Sequence, residues 1–144
     1  MICLAADHGG FELKEKVKKI LESTGFEVKD FGAQGSNPGD DYPDFVIPAM
    51  REMQQGSNPR GIIFCRNGVG VSMLANKFKG VRAGLCFNKK HVVSARTDDD
   101  INVLALPVDY ISDEEAFEIV EAFLKTNFGG AERHTRRLKK VASV

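Results

Sequence analysis

The stretch Gly61-Ile-Ile-Phe-Cys65-Arg-Asn67-Gly68-Val69-Gly70-Val-Ser-Met-Leu-Ala-Asn76 holds the residues best suited to chemistry. An apolar run ends in a cysteine, a glycine-containing turn follows, and a helix-like segment begins. Strand, tight loop and helix N-terminus in that order set a thiol beside backbone N–H groups able to hold an anion, in a field that favours the thiolate. A base next to an anion hole is a catalytic arrangement. The plain alternative is a small core cysteine before an ordinary connection. For Cys3 and Cys86, which sit inside apolar runs, the core reading is preferred.

Three further groups could act with it. Asp7-His8 closes the first apolar run, where a carboxylate and an imidazole can exchange protons near neutral pH; the alternative is a helix N-cap with a solvated histidine. Arg133-His134-Thr135-Arg136-Arg137 spaces arginines at i and i+4, a grip for a phosphate or simply a solvated basic face. Asp98-Asp99-Asp100 reads as an acidic loop or a helix end, with nothing to complete a metal coordination shell. Asn67-Gly68-Val69-Gly70 lacks the third glycine of a dinucleotide fingerprint, so a nucleotide site is weakly supported; successive amides there suit a carboxylate, enolate or phosphate.

These residues need elements to hold them. Apolar runs at Ile2–Ala6, Phe26–Phe31, Gly61–Phe64, Val81–Cys86 and Val103–Leu106 read as strands. Between them, Leu13, Val17, Ile20 and Leu21 recur at helical spacing before Gly25. Tyr42-Pro43 opens a helix toward Gln55 that Pro48 should bend or break, and Lys89–Thr97 is helical. Ser112-Asp-Glu-Glu115 is a capping box ahead of Ala116, Phe117, Val120, Phe123 and Leu124, and a last basic helix covers about 132–142. Continuous apolar strands alternating with helices imply a parallel sheet covered on both faces, in an α/β fold. Ligands of such sheets bind outside the carboxyl ends of the strands, which should collect Asp7, His8, Cys65, the glycine loop and the segment before Ile101 at one edge.

Composition sets the limits. A chain of 144 residues is expected to form one domain, spanning 1–144. Its 20 basic and 20 acidic residues cancel, which argues against a nucleic-acid partner. No apolar run approaches the roughly 20 residues a membrane span needs, and the opening Met-Ile-Cys-Leu-Ala-Ala-Asp meets an acid too early for a signal peptide. Three widely spaced cysteines suit neither a disulfide framework nor a zinc site, so a reduced, cytoplasmic, metal-free protein is expected.

Taken in order, the motifs Asp7-His8-Gly-Gly-Phe11-Glu-Leu-Lys14, Asp41-Tyr42-Pro43, Cys65-x-Asn67-Gly68-Val-Gly70 with Ser72 and Ala75-Asn76-Lys77, Gly80-Val-Arg82-Ala83, Asn102-Val-Leu-Ala105 and Arg133-His134-x-x-Arg137 resemble the type B ribose-5-phosphate isomerase family, which includes the galactose-6-phosphate isomerase subunits. They span nearly the whole chain. The resemblance implies a Rossmann-like three-layer α/β/α sandwich with a five-stranded parallel sheet. It implies a homodimer or a dimer of dimers, with active sites drawing on both subunits and the C-terminal helix at the dimer and phosphate site. The reaction implied is reversible aldose–ketose isomerisation of a phosphorylated sugar through an enediol. Cys65 would be the base, and the amides of Gly68, Val69 and Gly70 would hold the enediolate oxygen, with Asn67 where the family usually has threonine. Asp7 and Tyr42 would contact the sugar, and His8, Arg133 and Arg137 the phosphate. No metal or organic cofactor is implied.

The chain also departs from that pattern. Arg66 stands where the family usually has glycine, Asp98 and Asp99 replace a His-Asn pair whose histidine serves ring opening, and Asp109 replaces a phosphate arginine. Two explanations follow. Asp98 takes over as proton acceptor, with Asp99 at the sugar and Arg66 or Arg136 restoring the lost charge. Or the sugar differs: a tetrose 4-phosphate cannot close a furanose ring and needs no ring-opening base, and a hexose 6-phosphate is a further choice. A binding subunit of a heteromeric isomerase is the non-enzymatic alternative.

Overall fold

The computed structural model describes residues 1–56 and 59–144. Among these, five strands form one parallel sheet: β1 (Ile2–Ala6), β2 (Val28–Asp30), β3 (Arg60–Cys65), β4 (Ala83–Leu85) and β5 (Val103–Pro107), in the order β2-β1-β3-β5-β4. The helices between and after them are α1 (Phe11–Ser23), α2 (Tyr42–Met53), α3 (Val69–Ala75), α4 (Lys89–Asp99), α5 (Asp113–Lys125) and α6 (Glu132–Val141).

The apolar strands are buried on both faces because each face has its own helical cover. Ile2, Leu4, Ala6, Ile62, Phe64, Leu104 and Leu106 pack against α1, α4 and α5. Cys3, Ala5, Ile63, Cys65, Val103 and Ala105 pack against α2 and α3. This is the three-layer α/β/α sandwich expected.

The central strands β1, β3 and β5 match their apolar runs closely, whereas the outer ones are shorter than the sequence suggests. The 26–31 and 81–86 runs are strands over Val28–Asp30 and Ala83–Leu85, and single backbone hydrogen bonds extend the contact, Phe31 N–H to the Leu4 carbonyl at 2.8 Å and Cys86 N–H to the Ala105 carbonyl at 3.1 Å. Helix α2 runs through Pro48 to Met53 rather than breaking there. The capping box at α5 is present: Ser112 Oγ accepts the Glu115 N–H at 3.1 Å, and Glu115 Oε2 accepts the Ser112 N–H at 2.8 Å.

A buried cation joins β2 to the sheet's helical cover. The Lys14 side chain on α1 has no solvent exposure, and its Nζ donates to Asp30 Oδ2 at 2.6 Å. Lys18 donates to the same oxygen at 2.9 Å. Burial pushes the Asp30 carboxyl up, but the Lys14 and Lys18 hydrogen bonds and the Gly32 N–H outweigh it and hold the group below the ordinary carboxylate value.

Candidate active site

Ala6 pairs in register with Phe64, so the two residues that follow, Asp7 and Cys65, leave the sheet side by side at its carboxyl edge. Asp7 Oδ1 accepts the Gly9 N–H at 3.0 Å, which turns the chain sharply into α1. A Cβ at Gly10 would stand 2.6 Å from Phe64 Cβ and 2.9 Å from the Phe64 carbonyl, so the loop can press onto β3 only as glycine.

Cys65 is 8 % exposed and points to the α2–α3 face. Its thiol donates to Asn67 Oδ1 at 3.6 Å, and the same oxygen accepts the Val69 N–H at 3.0 Å. Asn67 thereby closes an Asx turn that folds the loop beside the thiol. Gly68 has φ +72°, and a Cβ there would lie 3.2 Å from Pro107 N. The three loop amides, Gly68 to Gly70, differ in what they meet. The Val69 N–H already serves Asn67, whereas those of Gly68 and Gly70 have no acceptor among the described residues. Tyr42, the first residue of α2, lays its ring against Gly70, where a Cβ would meet the hydroxyl oxygen at 2.8 Å. The other two cysteines are core residues: burial pushes the Cys3 thiol up to about 11 and the Cys86 thiol up to about 12.

His8 has a partner that its sequence neighbourhood does not reveal. Asp40 Oδ1 accepts the His8 backbone N–H at 3.0 Å and lies 2.6 Å from His8 Nδ1. With Nδ1 engaged, Nε2 is the ring nitrogen left for a ligand. Donor atoms of Asp7, His8 and Asp40 lie within 4.8 Å of one another, close enough to chelate an ion, although Asp40 already occupies one of the histidine's two nitrogens. Asp40 sits in the polar loop 33–41, where no periodicity marks it.

Asp98 and Asp99 are elsewhere. The expectation that the segment before Ile101 joins Cys65 at the carboxyl edge is wrong for a single chain. β4 and β5 are parallel, so α4 carries the chain back to the amino edge, and Asp98–Asp99 end that helix just before β5 begins at Val103. A five-residue strand separates the two edges by about 15 Å. At this far end Asp98 Oδ1 lies 3.4 Å from Nδ1 of His134, which is buried on α6 and makes no hydrogen bond at that nitrogen. Asp100 is structural: as the left-handed cap of α4 (φ 46°) it binds Arg82 and Arg96, each at 2.8 Å. Arg133 and Arg137 stand exposed on α6, while Arg136 is tied to Glu132 at 2.8 Å. One chain therefore assembles Asp7, His8, Tyr42, Cys65, Asn67 and the glycine loop, and keeps Asp98, Asp99 and the start of α6 at the opposite edge.

The sequence matches the ribose/galactose isomerase family over residues 2–141. The chain belongs to that family. Among its relatives, the "Probable ribose-5-phosphate isomerase B" of Mycoplasma pneumoniae is 43% identical over 97% of this chain and 91% of its own length. The ribose-5-phosphate isomerase B of Mycobacterium tuberculosis is 33% identical over 98% of this chain and 87% of its own length. Solved structures agree. The Mycoplasma genitalium ribose-5-phosphate isomerase B with bound ribulose-5-phosphate superimposes with a TM-score of 0.94 at 40% identity, covering 99% of this chain and 93% of that one. The Clostridium thermocellum ribose-5-phosphate isomerase B gives 0.93 at 38% identity, covering 99% and 95%. As a member of the ribose/galactose isomerase family, the protein is a sugar isomerase with a Rossmann-like fold.

Proposed function

We propose that this isomerase interconverts an aldose and a ketose that carry a phosphate, ribose 5-phosphate and ribulose 5-phosphate, through an enediol with Cys65 as base. The observation that carries the reading is the convergence at one sheet edge of a thiol, two open amides and the Asp7–His8–Tyr42 group. The bound ribulose-5-phosphate of the Mycoplasma genitalium relative supports the choice of sugar.

The steps follow from what enolisation requires. The Cys65 thiolate removes the proton on C2 of the open-chain aldose. The C–H electron pair forms the C1–C2 double bond, and the aldehyde oxygen becomes an oxyanion. The Gly68 and Gly70 N–H groups, which have no acceptor among the described residues, stabilise that charge. The Cys65 thiol returns the proton to C1 while the C2 hydroxyl proton passes to the oxygen on C1, which yields the ketose and restores the thiolate. Asn67 holds the loop and the thiol in register, Asp7 and Tyr42 position the sugar, and His8 with Arg133 and Arg137 holds the phosphate.

The separation of Asp98, Asp99 and α6 from Cys65 supports a homodimer in which these residues reach a neighbour's site. Val69 and Met73 on α3 and Phe87 after β4 are exposed apolar residues near the same edge and suit a contact between copies. Asp98 of one copy would then accept the ring hydroxyl proton for the other, with Asp99 at the sugar. Three free cysteines fit a cytoplasmic setting.

The test is an isomerisation assay on ribose 5-phosphate, allose 6-phosphate, galactose 6-phosphate and erythrose 4-phosphate, with Cys65→Ala as control. Turnover of ribose 5-phosphate, lost in the variant, is expected. Turnover of the tetrose alone would replace the pentose and assign the absent ring-opening histidine to substrate choice. Silence on all four would move the chain to a binding-subunit role.

A further inference from the structure

Arg66 follows Cys65 directly, and its side chain lies back over the loop after β1. A Cβ at Gly9 would stand 2.8 Å from Arg66 Cγ and 3.4 Å from Nε, and 3.3 Å from Asp7 Oδ1. The stem is thus seated above Gly9, the residue whose N–H the Asp7 carboxylate also holds. Its carboxylate partner among the described residues is Asp109, with Nη1 and Oδ2 3.7 Å apart and the two side chains 65% and 49% exposed. The backbones are joined more firmly, because the Asp109 N–H donates to the Arg66 carbonyl at 2.9 Å. So the two residues are fixed beside each other while their charges touch only loosely.

Three other arginines are committed to carboxylates. Arg96 and Arg82 are bound to Asp100 at 2.8 Å, and Arg136 to Glu132. Arg66 combines a stem packed over Gly9, a loosely held guanidinium and a place at the carboxyl end of β3 beside the Asp7-His8 turn. A planar fork of N–H donors in that setting suits a phosphate dianion, which it can grip with two hydrogen bonds. An exposed ion pair at 3.7 Å competes for the guanidinium weakly enough for a phosphate dianion to displace it.

We propose that Arg66 binds the phosphate of the sugar from the same subunit as Cys65, and that Asp109 is the counter-ion that holds the guanidinium until the phosphate displaces it. Asp109 then weakens phosphate binding, and removing its charge strengthens it. The inference rests on the phosphorylated-sugar reading above.

The probe is inorganic phosphate, used as a competitive inhibitor of ribose 5-phosphate turnover and titrated by calorimetry into the Cys65→Ala protein, where turnover plays no part. Arg66→Ala should raise KM and the phosphate dissociation constant about tenfold or more, with kcat changed far less. Arg66→Lys should recover part of that loss. Asp109→Asn should shift phosphate binding the other way, toward tighter binding. Unchanged phosphate binding in Arg66→Ala would overturn the proposal, as would an Asp109→Asn protein that binds phosphate as weakly as Arg66→Ala. That second result would mean the pair only shapes the loop. Calorimetry separates the two readings: a wild-type protein inactive on every sugar phosphate refutes the isomerase assignment, while loss of phosphate binding in Arg66→Ala still supports the cation's role.

Discussion

One oxygen of Asp40 holds His8 twice, accepting its backbone N–H at 3.0 Å and facing its ring Nδ1 at 2.6 Å. The two residues are 32 positions apart, so the bond ties the loop before α2 to the end of β1. It fixes the ring and leaves Nε2 toward a ligand. Asp40→Ala should therefore raise KM for the phosphorylated sugar by about tenfold, with the fold retained, whereas Asp40→Asn, which keeps an acceptor, should lose less. Equal losses in both variants would make the carboxylate's charge, rather than its aim, the contribution.

Gly68 offers a backbone test. Its φ of +72° strains any side chain, and a Cβ would crowd Pro107 N at 3.2 Å. Gly68→Ala should cost about 1–2 kcal/mol of stability from the left-handed conformation alone and should reduce kcat by displacing the open amides. Chemical denaturation and steady-state kinetics on the one variant measure both effects.

Acid should loosen the molecule through Asp30. Its carboxyl lies below the ordinary value because the Lys14 and Lys18 ammonium groups overcome the opposing effect of burial. A lowered folded-state value stabilises the fold fully above the unfolded value of about 3.9, and the gain is lost as pH falls through the lower folded value. Unfolding free energy measured from about pH 5 down to about pH 2 should fall less steeply in Asp30→Asn than in wild type. That variant should also lose about 1–3 kcal/mol near neutrality, because it leaves the buried Lys14 ammonium with Glu15 as its remaining carboxylate partner.

The two-edged distribution of site residues predicts complementation. Cys65→Ala and Asp98→Ala proteins, each inactive alone, should regain activity when unfolded together and refolded, up to about a quarter of wild type if copies pair at random in a two-fold dimer. No recovery, with mixed dimers demonstrated, would place Asp98 outside its neighbour's site.

Much of this was legible from residue order. Runs such as Ile2–Ala6 and Val103–Leu106 mark buried strands because a parallel sheet must be apolar on both faces, and Ser112-x-x-Glu115 marks a helix start. The Cys65 loop and the Asp7 turn declared themselves through glycines that close approach requires. Asp40 did not, because its role depends on a contact 32 residues away through a loop without periodicity. The misplacement of Asp98 and Asp99 has a topological cause. A helix joining two parallel strands ends at the amino edge of the sheet, so residues before β5 cannot share the carboxyl edge of their own chain. Arg66 and Asp109 were visible only as two separate departures from a family pattern; the fold sets them side by side.

The thiolate base is tested most directly by proton exchange. Ribulose 5-phosphate incubated with the protein in deuterated water and followed by NMR should gain deuterium at C1 and appear as ribose 5-phosphate deuterated at C2. The Cys65→Ala protein should show neither change while still binding the sugar phosphate. Deuterium incorporation by the variant at a rate near that of wild type would contradict the assignment of Cys65 as the base.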